Sequence, residues 1–372
     1  MSESTTASIR KKLKYNEACL ITNRHNLRYL CNYTGTNGYL LLTSKGVFFF
    51  TDSRYATETK KILPHECKLI CINKNFYTLF KRELQKRKIN ILNFEARDLR
   101  YSSFLDLKKN LKDIILKPST DLVEELRERK NKQEILHLKK AQQIAEKVFS
   151  TIQKHIQTGI SEKEIAWQIE KLAHEYGADG ISFPPIVAFG SNSGTPHHES
   201  GTRKLKKGDL IMIDMGLKFE GYCSDMTRIL FTTPPTRQQE HIYSLVLKAQ
   251  EQAINSLKAG ITAKKVDSIA RNIIKKAKYG DLFQHSLGHG VGLQIHEMPN
   301  LSPLSTQSIK ANTVVTVEPG IYLPGKFGVR IEDMILVGTA SATNLTSIPK
   351  DIKNCIIRLK KGLNLWLDCL IE

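Results

Sequence analysis

The chain has little with which to cross-link itself. Its seven cysteines, Cys19, Cys31, Cys67, Cys71, Cys223, Cys355 and Cys369, are odd in number and scattered, without a CxxC pair. That usage excludes a disulfide framework and a thiolate zinc site, and fits reduced thiols in a reducing compartment. Long apolar runs are also missing. Nothing approaches the ~18 residues that span a bilayer, and MSESTTASIRKKLKYNEACLIT at the N-terminus lacks the roughly 7–15 apolar residues of a signal peptide. A cytoplasmic chain without a membrane partner is expected. Acids are scarce against bases, 37 to 56, and most of the resulting +19 lies in residues 1–150, which hold 30 Lys and Arg against 16 Asp and Glu. Clustered cations can bind polyphosphate, but runs such as KRELQKRK alternate with acids and apolar residues and lack interleaved aromatics. They read as solvated helix faces, so no nucleic-acid partner is expected.

What is present is enough chain for two domains: 372 residues. ACLIT, YLLLT, GVFFFT, KLICIN and INILNF alternate with helical patterns, which predicts an α/β domain ending near Lys117-Pro118. From about Asp121 a charged stretch with apolar residues three and four apart (Leu122, Leu126, Ile135, Leu136, Ala141, Ile144, Val148, Ile152) predicts a long helix. Beyond it the pattern is helices, an acid-bearing hairpin, more helices, and a second acid-bearing hairpin. The expected division is 1–120, 121–352 and a tail, 353–372, where Ile356, Leu359, Leu363, Trp366 and Leu370 fall at helical spacing.

The acids carry the chemistry. Asp214 and Asp225 lie symmetrically about Phe219 and Glu220, and Glu318 and Glu332 about Gly325, so two hairpins would set each pair face to face. The flanking residues (Ile211, Ile213, Met215; Val314, Val315, Val317, Ile331, Met334, Ile335) are apolar on both faces, which would bury the carboxylates. Each acid alone could be solvated or salt-bridged. Each hairpin would hold two buried like charges with Cβ atoms roughly 4.5–5.5 Å apart, which need compensation, and two divalent cations are the simplest form of it. His289, in SLGHGVGLQIHEMP between the hairpins, adds an imidazole. The offsets between the two acid pairs are similar, which suggests a duplicated helix-and-hairpin unit. Two lookalikes fail. GHGVG does not have GxGxxG spacing, and His296-Glu297 has no second histidine at Asn300 to complete HExxH.

In family order, PHHE, the Asp214–Asp225 hairpin, GHGVGLQIHEMP, TVEPGIY and GVRIED resemble the pita-bread metallopeptidases, specifically the aminopeptidase P and prolidase branch; LITNRHNLRYLCNYTG, FFFTDSRY and LVEELRERKNKQEI extend the likeness through most of the chain. The resemblance implies a creatinase-like N-terminal α/β domain and a pseudo-symmetric catalytic domain. It further implies that Asp214 chelates a first metal, that Asp225 and Glu332 bridge two, and that His289 and Glu318 complete the second. An oxygen-rich set with one imidazole suits Mn²⁺, Co²⁺ or Fe²⁺, and the resemblance implies manganese or cobalt, with manganese preferred. By the same resemblance His197 and His296 bind substrate and stabilise the tetrahedral intermediate, Glu318 relays the proton, and Arg330 orients substrate or ligands; His198, the second histidine of the pair, reads as structural or solvent-facing. The implied activity is hydrolysis of Xaa-Pro bonds at peptide N-termini, with a dipeptide-restricted prolidase as the alternative and a metal-free binding module as a remote one. A homodimer is the family expectation.

Overall fold

The computed structural model describes residues 5–73 and 75–359. The chain forms two compact units that divide between Arg127 and Glu128.

In the first unit, β1 (Glu17–Ile21), β2 (Tyr39–Thr43), β3 (Gly46–Asp52), β4 (Cys67–Ile72), β5 (Ile91–Glu95) and β6 (Ile115–Ser119) make one mixed sheet in the order β4-β3-β2-β1-β5-β6. Helices α1 (Thr5–Arg10), α2 (Arg24–Cys31), α3 (Ser53–Ile62), α4 (Phe76–Lys86) and α5 (Tyr101–Asn110) accompany it. Side chains alternate across the strands, so Cys19, Ile21, Leu40, Leu42 and Phe49 enter one apolar cluster and Ala18, Leu20, Leu41, Phe48 and Phe50 another. All five strands read from sequence are present. The sixth includes Lys117 and Pro118, where the sequence suggested a break. Pro118 is tolerated there because β6 is an edge strand.

The long helix expected from Asp121 is two helices, α6 (Glu124–Glu128) and α7 (Lys132–His155). Asn131 interrupts it by capping α7 in a reciprocal box with Glu134. Ser161 and Glu164 start α8 (Glu162–Glu175) in the same way, Thr236 and Gln239 start α9 (Arg237–Ser256), and Thr262 caps α10 (Ala263–Lys276).

After α7 and α8 come β7 (Gly180–Ile181), β8 (Ile186–Phe189), β9 (Leu210–Met215), β10 (Leu217–Phe219), β11 (Tyr222–Cys223) and β12 (Met226–Phe231). After α9 and α10 come β13 (Gly288–Gly290), β14 (Glu297–Leu301), β15 (Val314–Val317), β16 (Gly320–Leu323), β17 (Phe327–Arg330), β18 (Asp333–Val337) and β19 (Ala342–Asn344). Each half is thus a helix pair followed by a long hairpin, the repeat the spacing suggested. The β12-β9-β8 sheet is buried on both faces: Ile211 and Ile213 pack with Phe149, Ile165 and Ile169, whereas Leu210 and Met212 pack with Val246, Val266 and Val315. This two-sided burial is why the strand sequences are apolar throughout. Arg228 ties the halves together by donating to the Glu332 carbonyl at 2.6 Å and to Asp333 at 2.7 Å.

The expected tail helix is not formed where the chain is described: Ile352–Cys355 is a 3₁₀ turn and Ile356 bridges to Phe231 in parallel. Leu363, Trp366 and Leu370 lie outside the described residues.

Candidate metal centre

Both acid hairpins are broken at their acids. In the first, Glu220 and Gly221 form the tip with φ of 49° and 72°, the left-handed pair of a two-residue turn. The expected centre at Phe219 and Glu220 is therefore one residue off, and the register pairs Asp214 with Thr227 rather than with Asp225. Asp225 falls instead opposite Gly216, at the junction between the inner β10–β11 pair and the outer β9–β12 pair. Glycine is required there, since a Cβ on residue 216 would meet the Ser224 carbonyl at 2.0 Å. The second hairpin keeps the expected register. Gly320 pairs with Arg330 and Val317 with Asp333, so Glu318 and Glu332 face one another at the junction between two sheets.

Ligand atoms of Asp225, His289 and Glu332 lie within 4.8 Å of one another. The Nε2 of His289 is 3.6 Å from Asp225 and 3.4 Å from Glu318. Its Nδ1 faces the Gly290 carbonyl at 3.0 Å, and donating that proton leaves the Nε2 lone pair for a cation. Asp214 joins through Arg330, which donates to one carboxylate oxygen at 2.6 Å. The other oxygen of Asp214 is buried without a hydrogen-bond partner among the described residues.

Burial, then the neighbouring carboxylates, push Asp225 and Glu332 well above the usual carboxylate range. Burial pushes Glu318 to about 8, and burial with the adjacent His296 lowers His289 to about 4. Without cations the protein dielectric thus opposes the charge on these acids and favours a neutral imidazole. Four carboxylates face one guanidinium, and an orphaned oxygen and a free imidazole nitrogen sit among them. The donor set fits two divalent ions.

Two threonines orient the acids. Thr227, held opposite Asp214 by the register, donates to Glu332 at 2.7 Å and accepts from Arg330 Nε at 3.1 Å. Thr316 donates to Glu318 at 3.2 Å and accepts from the His289 backbone N–H at 3.0 Å. Arg330 also donates to Tyr322 Oη at 2.7 Å, and that hydroxyl meets His285 Nε2 at 2.9 Å. Sequence reading missed Thr227, Thr316, Tyr322 and His285. Only His285 left a usable signal, four residues before His289.

His296 is exposed, with its ring edge-on to His289 at 4.4 Å between centroids. His197 is exposed; burial lowers the pKa of both His285 and His296, and the charge of the nearby His197 adds to each. His198 turns away from the acids and donates to Glu162 at 2.8 Å, consistent with a structural part. No described helix is long and apolar enough to cross a membrane.

Residues 137–339 match the model of metallopeptidase family M24, and residues 8–129 match the creatinase/prolidase N-terminal domain. The Xaa-Pro dipeptidase of Pyrococcus horikoshii is 35% identical over 337 residues, covering 90% of this chain and 94% of the relative. The solved Xaa-Pro dipeptidase from Bacillus anthracis superposes with a TM-score of 0.91 at 36% identity over 95% of this chain and 99% of that one. An X-Pro aminopeptidase from Thermotoga maritima gives 0.86 at 34%, over 94% and 99%. With both domain models matched in order and relatives of this similarity along nearly its whole length, the chain belongs to metallopeptidase family M24 and is a hydrolase built as a creatinase-type N-terminal domain followed by a pita-bread domain.

Proposed function

We propose that this chain is a cytoplasmic, homodimeric Xaa-Pro dipeptidase working with two Mn²⁺ ions. The observation that carries the metal-dependent part is the convergence of Asp225, His289 and Glu332, with Glu318 against the same imidazole nitrogen. The restriction to dipeptides is supported by the named activity of the Pyrococcus and Bacillus relatives, and it replaces the longer-peptide aminopeptidase that the sequence reading put first. The Thermotoga structure keeps the aminopeptidase as the second reading.

Asp214, Asp225, His289, Glu318 and Glu332 would hold the ions, which when bound acidify a water and polarise the scissile carbonyl. Glu318 takes the proton released as water adds to the carbonyl carbon and delivers it to the leaving prolyl nitrogen. His296 donates to the oxygen that gains charge, and His197 holds the substrate backbone. Arg330, through Asp214 and Thr227, keeps the acids in place and offsets part of their charge.

The test is chelation followed by Mn²⁺ or Co²⁺ and assay on Leu-Pro and Leu-Pro-Gly. Metal-restored release from Leu-Pro alone is expected. Equal or faster cleavage of Leu-Pro-Gly would establish the aminopeptidase, and inactivity on both with metal bound would remove the peptidase reading.

A further inference from the structure

Glu162, the first residue of α8, is fully buried and has no part in the chemistry above. Its carboxylate accepts four hydrogen bonds, all from one segment. The Phe189 N–H and Asn192 Nδ2 reach one oxygen at 2.8 Å each, and His198 Nε2 and the Gly201 N–H reach the other at 2.8 and 3.1 Å. A buried carboxylate is costly unless its acceptor sites are filled, and here the segment 189–201 fills them. Backbone bonds from Lys163 to the Gly201 carbonyl and from Glu162 to the Arg203 carbonyl fasten the same end.

That segment carries His197. Its opposite side is gripped from the metal centre: Ser193 Oγ accepts from the Gly328 N–H at 2.9 Å, and Arg330 donates to the Pro196 carbonyl at 3.3 Å. The loop is therefore stretched between a buried acid behind it and the β17 strand in front. We propose that Glu162 is a positioning residue for substrate binding, acting through His198 and the 189–201 loop to set the place of His197. This rests on His197 holding the substrate, as read above. Glutamine cannot replace Glu162, because its amide nitrogen would meet two of the four donors. The contact with His198 also gives the second histidine of PHHE its task.

The experiment compares full-length wild type with E162Q, H197A and the double variant, each loaded with Mn²⁺, by Leu-Pro kinetics and by hydrogen exchange. E162Q is expected to lower kcat/KM by about ten- to a hundredfold, the scale of a small displacement of a positioned group, with metal content unchanged and faster exchange confined to 189–201. In the H197A background the same substitution should cost no more than about twofold, because two residues that act as a unit are not additive. Equal costs in both backgrounds, or unchanged exchange at Phe189 and Gly201, would overturn the inference. If H197A alone costs nothing, the reading of His197 fails first and takes this one with it. Should E162Q not fold, H198A removes one of the four contacts with Glu162 in place, and additivity with H197A would count against the inference equally.

Discussion

Glu318 and Glu332 face one another across their hairpin, whereas Asp225 stands two residues short of the position opposite Asp214. The difference comes from the tips. A two-residue left-handed turn at Glu220-Gly221 displaces the register by one residue from the centre that the charge spacing suggests, and Thr227 takes the place of the missing partner. The offset has a use, because the hydroxyl that faces Asp214 links Arg330 to Glu332 and so couples the two hairpins. The second hairpin supplies its own equivalent in Thr316, which links Glu318 to the His289 backbone.

Removing an acid from either hairpin should be most damaging. Asp225→Asn and Glu332→Gln are each expected to cost roughly a thousandfold in kcat, the equivalent of about 4 kcal/mol, with reduced metal content by elemental analysis. His296→Ala serves as the contrast, since it should lower kcat while metal content stays near normal. An empty site in His296→Ala would end that division of labour.

The threonines sharpen the comparison. Thr227→Val and Thr316→Val should each cost about ten- to a hundredfold in metal affinity or activity, as expected for groups that orient ligands. If only Thr316→Val does so, the coupling between hairpins through Thr227 is unimportant.

Removal of metal exposes the electrostatics. The folded-state pKa of Glu318 lies near 8 against an ordinary 4.5, so its stabilising contribution is full below about 4.5 and is lost as pH rises through 8. Asp225 and Glu332 shift in the same direction. His289 is depressed to about 4, so its contribution is complete above 6.5 and changes only below that. Between pH 6.5 and 8 the chelated protein should therefore lose stability with rising pH, read as a falling melting temperature, and excess Mn²⁺ should flatten the trend. A flat profile in the chelated protein would show that the acids are not buried together.

Smallest should be the turns. Gly221→Ala and Gly325→Ala, both at φ of 72°, are expected to cost about 1–2 kcal/mol in urea unfolding. The first should also lower activity, because that turn alone sets a displaced register.

The strands of the first unit were legible because alternating apolar runs are local signals, and the metal acids were legible because charge inside an apolar run is conspicuous. The break before α7 was missed because α6 ends at Glu128 and Asn131 caps α7 without interrupting the apolar spacing. Thr227, Thr316 and Tyr322 act through hydroxyls that the register alone brings to the acids, and no sequence spacing reports that. The register error followed from centring the turn on charges instead of on the residues able to take positive φ.

The most direct measurement is anomalous diffraction from crystals grown with Mn²⁺. Two peaks about 3.5–4 Å apart among Asp214, Asp225, His289, Glu318 and Glu332 are expected. No peak there, or ions bound only elsewhere, would contradict the claim that these five side chains hold a metal pair.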